Sequence, residues 1–364
     1  MRDFVRHKKQ EQRVHRQHRG GATVLADSWY AAALAARPAG AGLIVSLDDA
    51  LRCRPALSWF AARSGVARGL LLTVLGRRHA AVLTTNPAPG ARTAIALHGL
   101  LRRRRVVLLE YIQEMPQPGG PHEALVQLNF RMLRRGLLPH ALLVGQVLTE
   151  AERLRYAAAL GLGPTQLAIV SWPRSSAKTN HRPPAVSARG RSVLASGRRT
   201  DWDTFLAAAG GADWDVTVVC SASDSAAVSA ATRDSSFTVY SEVSADDHQA
   251  LVECADVYVV AVPETGGSIG QIRVMNATDA GTALVVSDVT GVRGYVGANT
   301  AAIVSPGQPK QLRAKVDQLL ADPRRRAELV DEATRAGNSW TMNDYLDALC
   351  DTIRSAITYP GTAP

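Results

Sequence analysis

The sequence predicts an α/β protein built from two doubly wound, Rossmann-like parallel-sheet domains facing one another across a cleft. Three observations carry that expectation. Short apolar runs alternate with helical stretches of ten or more residues along most of the chain, the pattern of βαβ units and of a sheet covered on both faces. Residues 173–191 (PRSSAKTNHRPPAVSARGR) lack any periodicity and split the alternation into two sets, as an interdomain linker would. A length of 364 residues also favours two domains over one.

Residues 1–21 carry Arg, Lys and His with almost no apolar face, so they are expected to form a disordered or loosely attached basic arm. The first domain spans 22–172. Its strands are expected at Thr23–Ala26, Gly42–Ser46, Ala80–Thr84, Arg105–Glu110, Ala141–Val147 and Leu167–Val170. Helical stretches lie between them at Leu57–Arg77, Arg92–Arg103, Glu123–Arg135 and Glu150–Leu160. Thr149 followed by Glu152 is a capping box for the last of these.

The second domain spans 192–340. Strands are expected at Ser192–Ala195, Trp214–Cys220, Phe237–Tyr240, Val257–Val262, Ala283–Val286 and Ala301–Val304. Helices are expected at Trp202–Ala209, Ser223–Thr232, Ala245–Glu253, Gln271–Ala280, Lys310–Ala321 and Arg324–Ala336. Residues 341–364 hold a last amphipathic helix, Met342–Ile357, and a tail, with a return to the first domain left open.

Composition limits the function classes. With 46% hydrophobic and 20% charged residues and no secretory signal, the chain is expected to be soluble, globular and cytoplasmic. A net charge of +10 invites a polyanion, yet aromatic content is only 5% and no aromatics interleave with the basic runs, which argues against a nucleic-acid surface. The arm and the run Arg102–Arg105 leave a peripheral membrane contact open. Cys53, Cys220, Cys254 and Cys350 lie far apart and suit buried thiols in a reducing compartment rather than disulfides or zinc.

The chain is organised around Ala255–Val296, a strand, a Gly-rich turn, a helix and a second strand. In the turn, Gly266, Gly267 and Gly270 allow close approach of a ligand to the backbone, and the first N–H groups of the following helix have no intrahelical partner. That suits a phosphate; a purely structural tight turn fits the same letters. Gly266-Gly267-Ser268-Ile269-Gly270 also spells the G-x-S-x-G of hydrolases that display a nucleophilic serine. Those enzymes need an acid and a histidine after the serine, and the last histidine is His248.

Several further motifs keep a fixed order: SGRRTDW (Ser196–Trp202), Y-x-E-V-S (Tyr240–Ser244), S-x-G-Q (Ser268–Gln271), Ala280-Gly281, VVSD (Val285–Asp288) and PGQPKQL (Pro306–Leu312). Over roughly 150 residues this order resembles the carboxy-terminal half of GT-B fold glycosyltransferases, nearest to retaining, family 4-like (group 1) enzymes. The first domain resembles them mainly in strand-helix rhythm. The resemblance implies transfer of a sugar from a nucleotide-diphosphate sugar to a hydroxyl of a small-molecule or lipid-like acceptor, with retention of configuration and with no cofactor and no metal. An epimerase or hydrolase of the same fold, or a degenerate partner-binding subunit, is the alternative.

The resemblance implies a donor site made of Gly197, Arg198, Tyr240, Glu242, Gly267, Ser268, Ile269, Gly270, Gln271 and Asn276. Arg198 is the charged partner of the diphosphate, since a guanidinium can hold two phosphate oxygens and stabilise the charge that grows on the leaving group; an exposed salt bridge is the plainer role. Asn276 stands where the family has a glutamate for the donor ribose, and it can still exchange hydrogen bonds with hydroxyls. The second acidic position is missing, Glu264 being the nearest carboxylate. Asp201-Trp202-Asp203 and Asp213-Trp214-Asp215 spell D-x-D, but suit a helix N-cap with a core tryptophan and a strand entry better than a metal site. On the acceptor side Glu110, ending a strand beside Tyr111 and before His122, is the candidate base or hydroxyl ligand.

Overall fold

The computed structural model describes residues 22–85, 93–94, 97, 105–109, 143–160, 166–173, 190–233, 237–265, 267, 269–336 and 340–358. In the first half these form β1 (Val24–Asp27), α1 (Ala31–Ala36), β2 (Ile44–Ser46), α2 (Leu47–Leu51), α3 (Pro55–Arg63), α4 (Gly65–Gly76), β3 (Ala81–Thr85), β4 (Arg105–Leu109), β5 (Leu143–Val147), α5 (Glu150–Leu160) and β6 (Leu167–Ile169). The second half contains β7 (Ser192–Ser196), α6 (Trp202–Ala209), β8 (Asp215–Cys220), α7 (Ala222–Ala231), β9 (Thr238–Ser241), α8 (Ala245–Cys254), β10 (Val257–Val260) and α9 (Gln271–Ala280). It ends with β11 (Ala283–Ser287), β12 (Ala302–Val304), α10 (Pro309–Ala321), α11 (Pro323–Ala336) and α12 (Met342–Thr358).

Every strand expected from the sequence is present within a residue or two of its place. The helices differ in two respects. The stretch Leu57–Arg77 is two helices, not one, because Ser64 adopts an extended backbone and its Oγ accepts from Ala67 N at 3.2 Å, ending α3 and capping α4. The short α1 and α2 escape sequence reading, being six and five residues long and too brief to establish a period. Arg92–Arg103 falls largely, and Glu123–Arg135 wholly, outside the described residues. The capping box at α5 does form: Glu152 N–H donates to Thr149 Oγ1 at 3.1 Å, while the Glu152 carboxylate reaches back to Leu148 N at 2.8 Å.

The strands make two six-stranded, all-parallel sheets of order β2-β1-β3-β4-β5-β6 and β12-β11-β10-β7-β8-β9. In the second sheet, alternate residues of each strand enter different cores. Val193, Ala195, Val257, Val259 and Val285 pack on one face with Phe205 and Leu312, whereas Leu194, Tyr258, Val260 and Val286 pack on the other with Val274. That two-sided burial explains why the strands read as continuous apolar runs. Helix α12 lays Tyr345, Leu349 and Ile353 against Val24, Ala26 and Leu83 of the first sheet, and Asp347 pairs with Arg37 at 2.5 Å.

Two features of this topology position a site. Strand order reverses between β1 and β3 in one sheet and between β7 and β10 in the other, and loops leaving the carboxyl ends of such neighbours diverge to open a crevice. The sheets also meet through their carboxyl-end loops. Arg155 of α5 reaches Glu264, beyond β10, at 3.4 Å. The Trp172 N–H donates to the Tyr295 hydroxyl, beyond β11, at 2.7 Å, and Gly294 lies against Thr149.

Candidate functional site at the second switch point

The loops that leave β7 and β10 contain the residues for which the sequence implies phosphate binding. After β7 the backbone turns sharply through Gly197 (φ 103°) and Arg199 (φ 60°), a conformation that glycine supplies freely and that costs a β-carbon-bearing residue of order 1 kcal/mol. The Thr200 hydroxyl lies 2.9 Å from Ser196 O and 2.8 Å from Gly197 O, so the turn is closed on itself. Asp201 N–H donates to Ala261 O at 3.0 Å, tying this loop to the end of β10. Arg198 projects from the turn, exposed and with no ion pair among the described residues.

The Gly-rich turn follows β10. Gly267 and Ile269 are buried, while Gly266 and Ser268 lie outside the described residues. Gly270 is the N-cap of α9 in the left-handed conformation (φ 90°), with no side chain capping the helix and no acidic residue in its first turn. Among the described residues its first N–H groups therefore have no side-chain acceptor, at the positive end of the helix dipole. Gln271 is buried at the first helical position. The turn is backed by the loop after β11: a β-carbon on Gly291 would stand 2.3 Å from Ile269 N and 2.6 Å from Gly267 O. Only glycine fits there.

Beneath both turns is a residue that sequence reading passed over. Arg273 sits on the first turn of α9 and is buried, its Nη1 donating to Ser196 O at 2.5 Å and Thr200 Oγ1 at 2.8 Å. A β-carbon on Gly197 would lie 3.0–3.2 Å from the Arg273 Cδ, Cζ and Nε, so the guanidinium is seated against the bare backbone of that glycine. The Ser196 hydroxyl in turn bonds Tyr258 OH and lies 2.7 Å from His248 Nε2. Burial lowers the Arg273 pKa and raises that of Tyr258; burial and then the Arg273 charge lower that of His248. The available sequence signal was a lone arginine between apolar Ile272 and Val274.

The remaining candidates are scattered. Asn276 is half-buried, one helical turn beyond Arg273. Tyr240 and Glu242 lie at the end of β9, two strands out from β7, about 10 Å across the sheet. Glu242 takes a left-handed backbone (φ 57°) and accepts from Ala222 N at 3.3 Å, serving the start of α7. Glu264 accepts from Thr290 N and Oγ1 at 2.9 and 3.0 Å as well as from Arg155. It is engaged between the domains. Glu110, Tyr111, His122 and the Arg102–Arg104 run lie outside the described residues, as does the linker core, 174–189.

Both D-x-D sequences have structural employment. Asp201 caps α6 through Thr204 N and Oγ1 at 3.0 and 2.6 Å. Asp213 pairs with Arg191 at 2.9 Å, and Trp214 Nε1 donates to Asp317 at 2.7 Å. Among the described residues no group of three His, Cys, Asp or Glu is placed to hold a metal.

At the first switch point, Asp27 ends β1 and accepts from Arg68 Nε at 2.7 Å, and Arg68 holds both Asp48 oxygens at 3.0 and 3.1 Å. Ser28 bonds Thr85 at 2.5 Å across the reversal. Among the described residues, Asp27 Oδ2 and Thr84 Oγ1 are buried without hydrogen-bond partners, and burial raises the Asp27 pKa. No described helix is long and apolar enough to cross a membrane.

Comparison with known proteins fits this arrangement. Residues 229–336, from within α7 to the end of α11, match the family described as glycosyl transferases group 1. No curated protein matches the chain in sequence. Among solved structures, HepE from Anabaena in complex with UDP is 12% identical with a TM-score of 0.60, over 86% of this chain and 87% of that one. Sucrose-phosphate synthase from Thermosynechococcus elongatus is 13% identical with a TM-score of 0.61, over 87% and 82%. A glycosyltransferase from Rickettsia africae is 11% identical with a TM-score of 0.58, over 81% and 82%. At such identities the likeness establishes the fold, which is GT-B, and the family match lies within its second half.

Proposed function

We propose that this enzyme moves a sugar from a nucleotide-diphosphate sugar to a hydroxyl of a small-molecule or lipid-like acceptor, with retention and without a metal ion. One observation carries the reading. The uncapped start of α9, the turn ending at Gly270 and the turn bearing Arg198 stand side by side where the second sheet reverses its strand order. A diphosphate seated there would accept from helix amides and from an unpaired guanidinium, and both kinds of donor gain strength as charge builds on the departing group. HepE, of the same fold, is known in complex with UDP and with UDP-glucose, which supports a nucleotide sugar as the donor class.

The acceptor would approach from the first switch point, where carboxylate and hydroxyl groups suit a sugar or alcohol better than an anion. Metal independence is supported by the structural use of Asp201 and Asp213, since the charge that a metal would neutralise falls instead to Arg198 and the helix amides. The reading is tested by melting curves recorded with UDP, GDP, dTDP and ADP sugars, in EDTA, followed by product analysis with and without acceptor alcohols. At least one nucleotide is expected to raise the melting temperature of the wild type and to lose that effect in Arg198→Ala. Stabilisation unchanged in Arg198→Ala would move the diphosphate elsewhere, and sugar released or epimerised equally well without acceptor would replace transfer by hydrolysis or epimerisation.

A further inference from the structure

Among the described residues of the second half, Arg273 is the one charged residue that is buried. Its hydrogen-bond partners among the described residues are neutral: the carbonyl of Ser196 and the hydroxyl of Thr200. Burying a cation without a carboxylate is expensive, and an apolar side chain of the same length would fill the space at lower cost. Placing that cation in the first turn of α9 adds to the cost, because the helix dipole is already positive there. The charge is therefore tolerated for something that a methionine would not do.

Two details indicate what. Both acceptors of Arg273 belong to one five-residue turn, Ser196–Thr200, and that turn carries Arg198. Gly197 has a left-handed backbone and leaves just enough room for the guanidinium, so the turn and the arginine are shaped to one another. We propose that Arg273 is a positioning residue of the diphosphate site: it fastens the turn after β7 to the start of α9, so that Arg198 and the α9 amides keep a fixed spacing before the ligand arrives. Arg273 acts through the turn and not by touching the ligand. Its uncompensated charge also biases the crevice toward anions. This rests on the donor reading above for its ligand, but the hold on the turn can be measured without one.

The experiment compares wild type, Arg273→Met, Arg273→Lys, Arg198→Ala and the double variant Arg198→Ala/Arg273→Met. The probes are the nucleoside diphosphate that best stabilises the wild type and its parent nucleoside. Arg273→Met is expected to weaken the diphosphate at least tenfold, Arg273→Lys to recover part of the loss, and nucleoside affinity to stay within about twofold. In the Arg198→Ala background, removing Arg273 should cost less than about threefold further, since the residue it positions is gone. Without ligand, amide exchange at 197–201 should quicken at least tenfold in Arg273→Met while β10 remains protected.

Full additivity of the two losses would overturn the inference, as would unchanged exchange in the turn. If Arg273→Met fails to fold, Arg273→Lys and Thr200→Val, which removes one of the two acceptors, carry the same comparison. If no nucleoside diphosphate binds the wild type, the donor reading falls, and the exchange measurement alone decides whether Arg273 fastens the turn.

Discussion

The two halves share an architecture and differ in the chemistry at the point where each sheet reverses. Each is a six-stranded parallel sheet with one reversal, and in each the loops after the two central strands face the crevice. In the second half those loops offer Gly197, Arg198, Gly270 and the bare start of α9, with Arg273 beneath: backbone amides and cations, without a carboxylate in the first turn. In the first half they offer Asp27, Ser28, Thr84 and Thr85, with Arg68 already held by two aspartates. Topology provides the crevice in both, and on the function proposed above the residue types would select an anion on one side and a hydroxyl-bearing molecule on the other.

The strongest way to break that contrast is Arg198→Ala. Loss of a donor aimed at developing charge should lower turnover roughly 100- to 1,000-fold, with donor affinity falling by a smaller factor, read from steady-state rates and from calorimetry. Next is Gly291→Ala. Its β-carbon would meet backbone atoms at 2.3–2.6 Å, so the turn ending at Gly270 must move. A loss of about 2–3 kcal/mol in denaturant unfolding, accompanied by weaker nucleotide binding, is expected; an unchanged midpoint would show that the turn is not backed by this loop.

Asn276→Ala should have a smaller effect, about 1 kcal/mol in donor affinity, because a neutral hydrogen-bonding side chain is being removed. A loss as large as that of Arg198→Ala would give Asn276 the role that the contrast assigns to cations. Arg155→Ala tests the junction between the halves. The pair with Glu264 is partly exposed on both sides, so no more than about 1 kcal/mol of stability is at stake. Its signature would be a change in how nucleotide binding depends on salt.

The smallest effect concerns acid. His248 is held neutral by burial and by the nearby Arg273 charge, so its folded pKa is below its unfolded value. The unfolded chain therefore takes up the proton first, and stability present above the ordinary histidine pKa is lost as the pH falls toward the folded one. His248→Gln should flatten part of that decline as the pH falls below the ordinary histidine pKa, and His79, also lowered by burial, should account for a further part.

Much of this was legible in the sequence because of how the sheets are buried. Strands covered on both faces must be apolar at every position, so Val257–Val260 and Ala283–Ser287 announce themselves, and the helix after Gly270 keeps its period for ten residues. The break at Ser64 was harder, because one capping hydroxyl outweighs an otherwise continuous helical pattern. The tight turn before that helix was legible from its glycines. Arg273 was not, since a single arginine on a helix is ordinarily a solvated one, and only the packing of Gly197 against it reveals that it points inward. Gly291 was invisible for a similar reason: its need for glycine comes from a turn more than twenty residues earlier in the chain.

The most direct measurement is a structure with the nucleoside diphosphate that best stabilises the protein. The account predicts phosphate oxygens about 3 Å from the first amides of α9 and within reach of Arg198, with the crevice at Asp27 and Thr84 free of phosphate. A diphosphate seated at the first switch point, or bound while the turn ending at Gly270 stands empty, would contradict it.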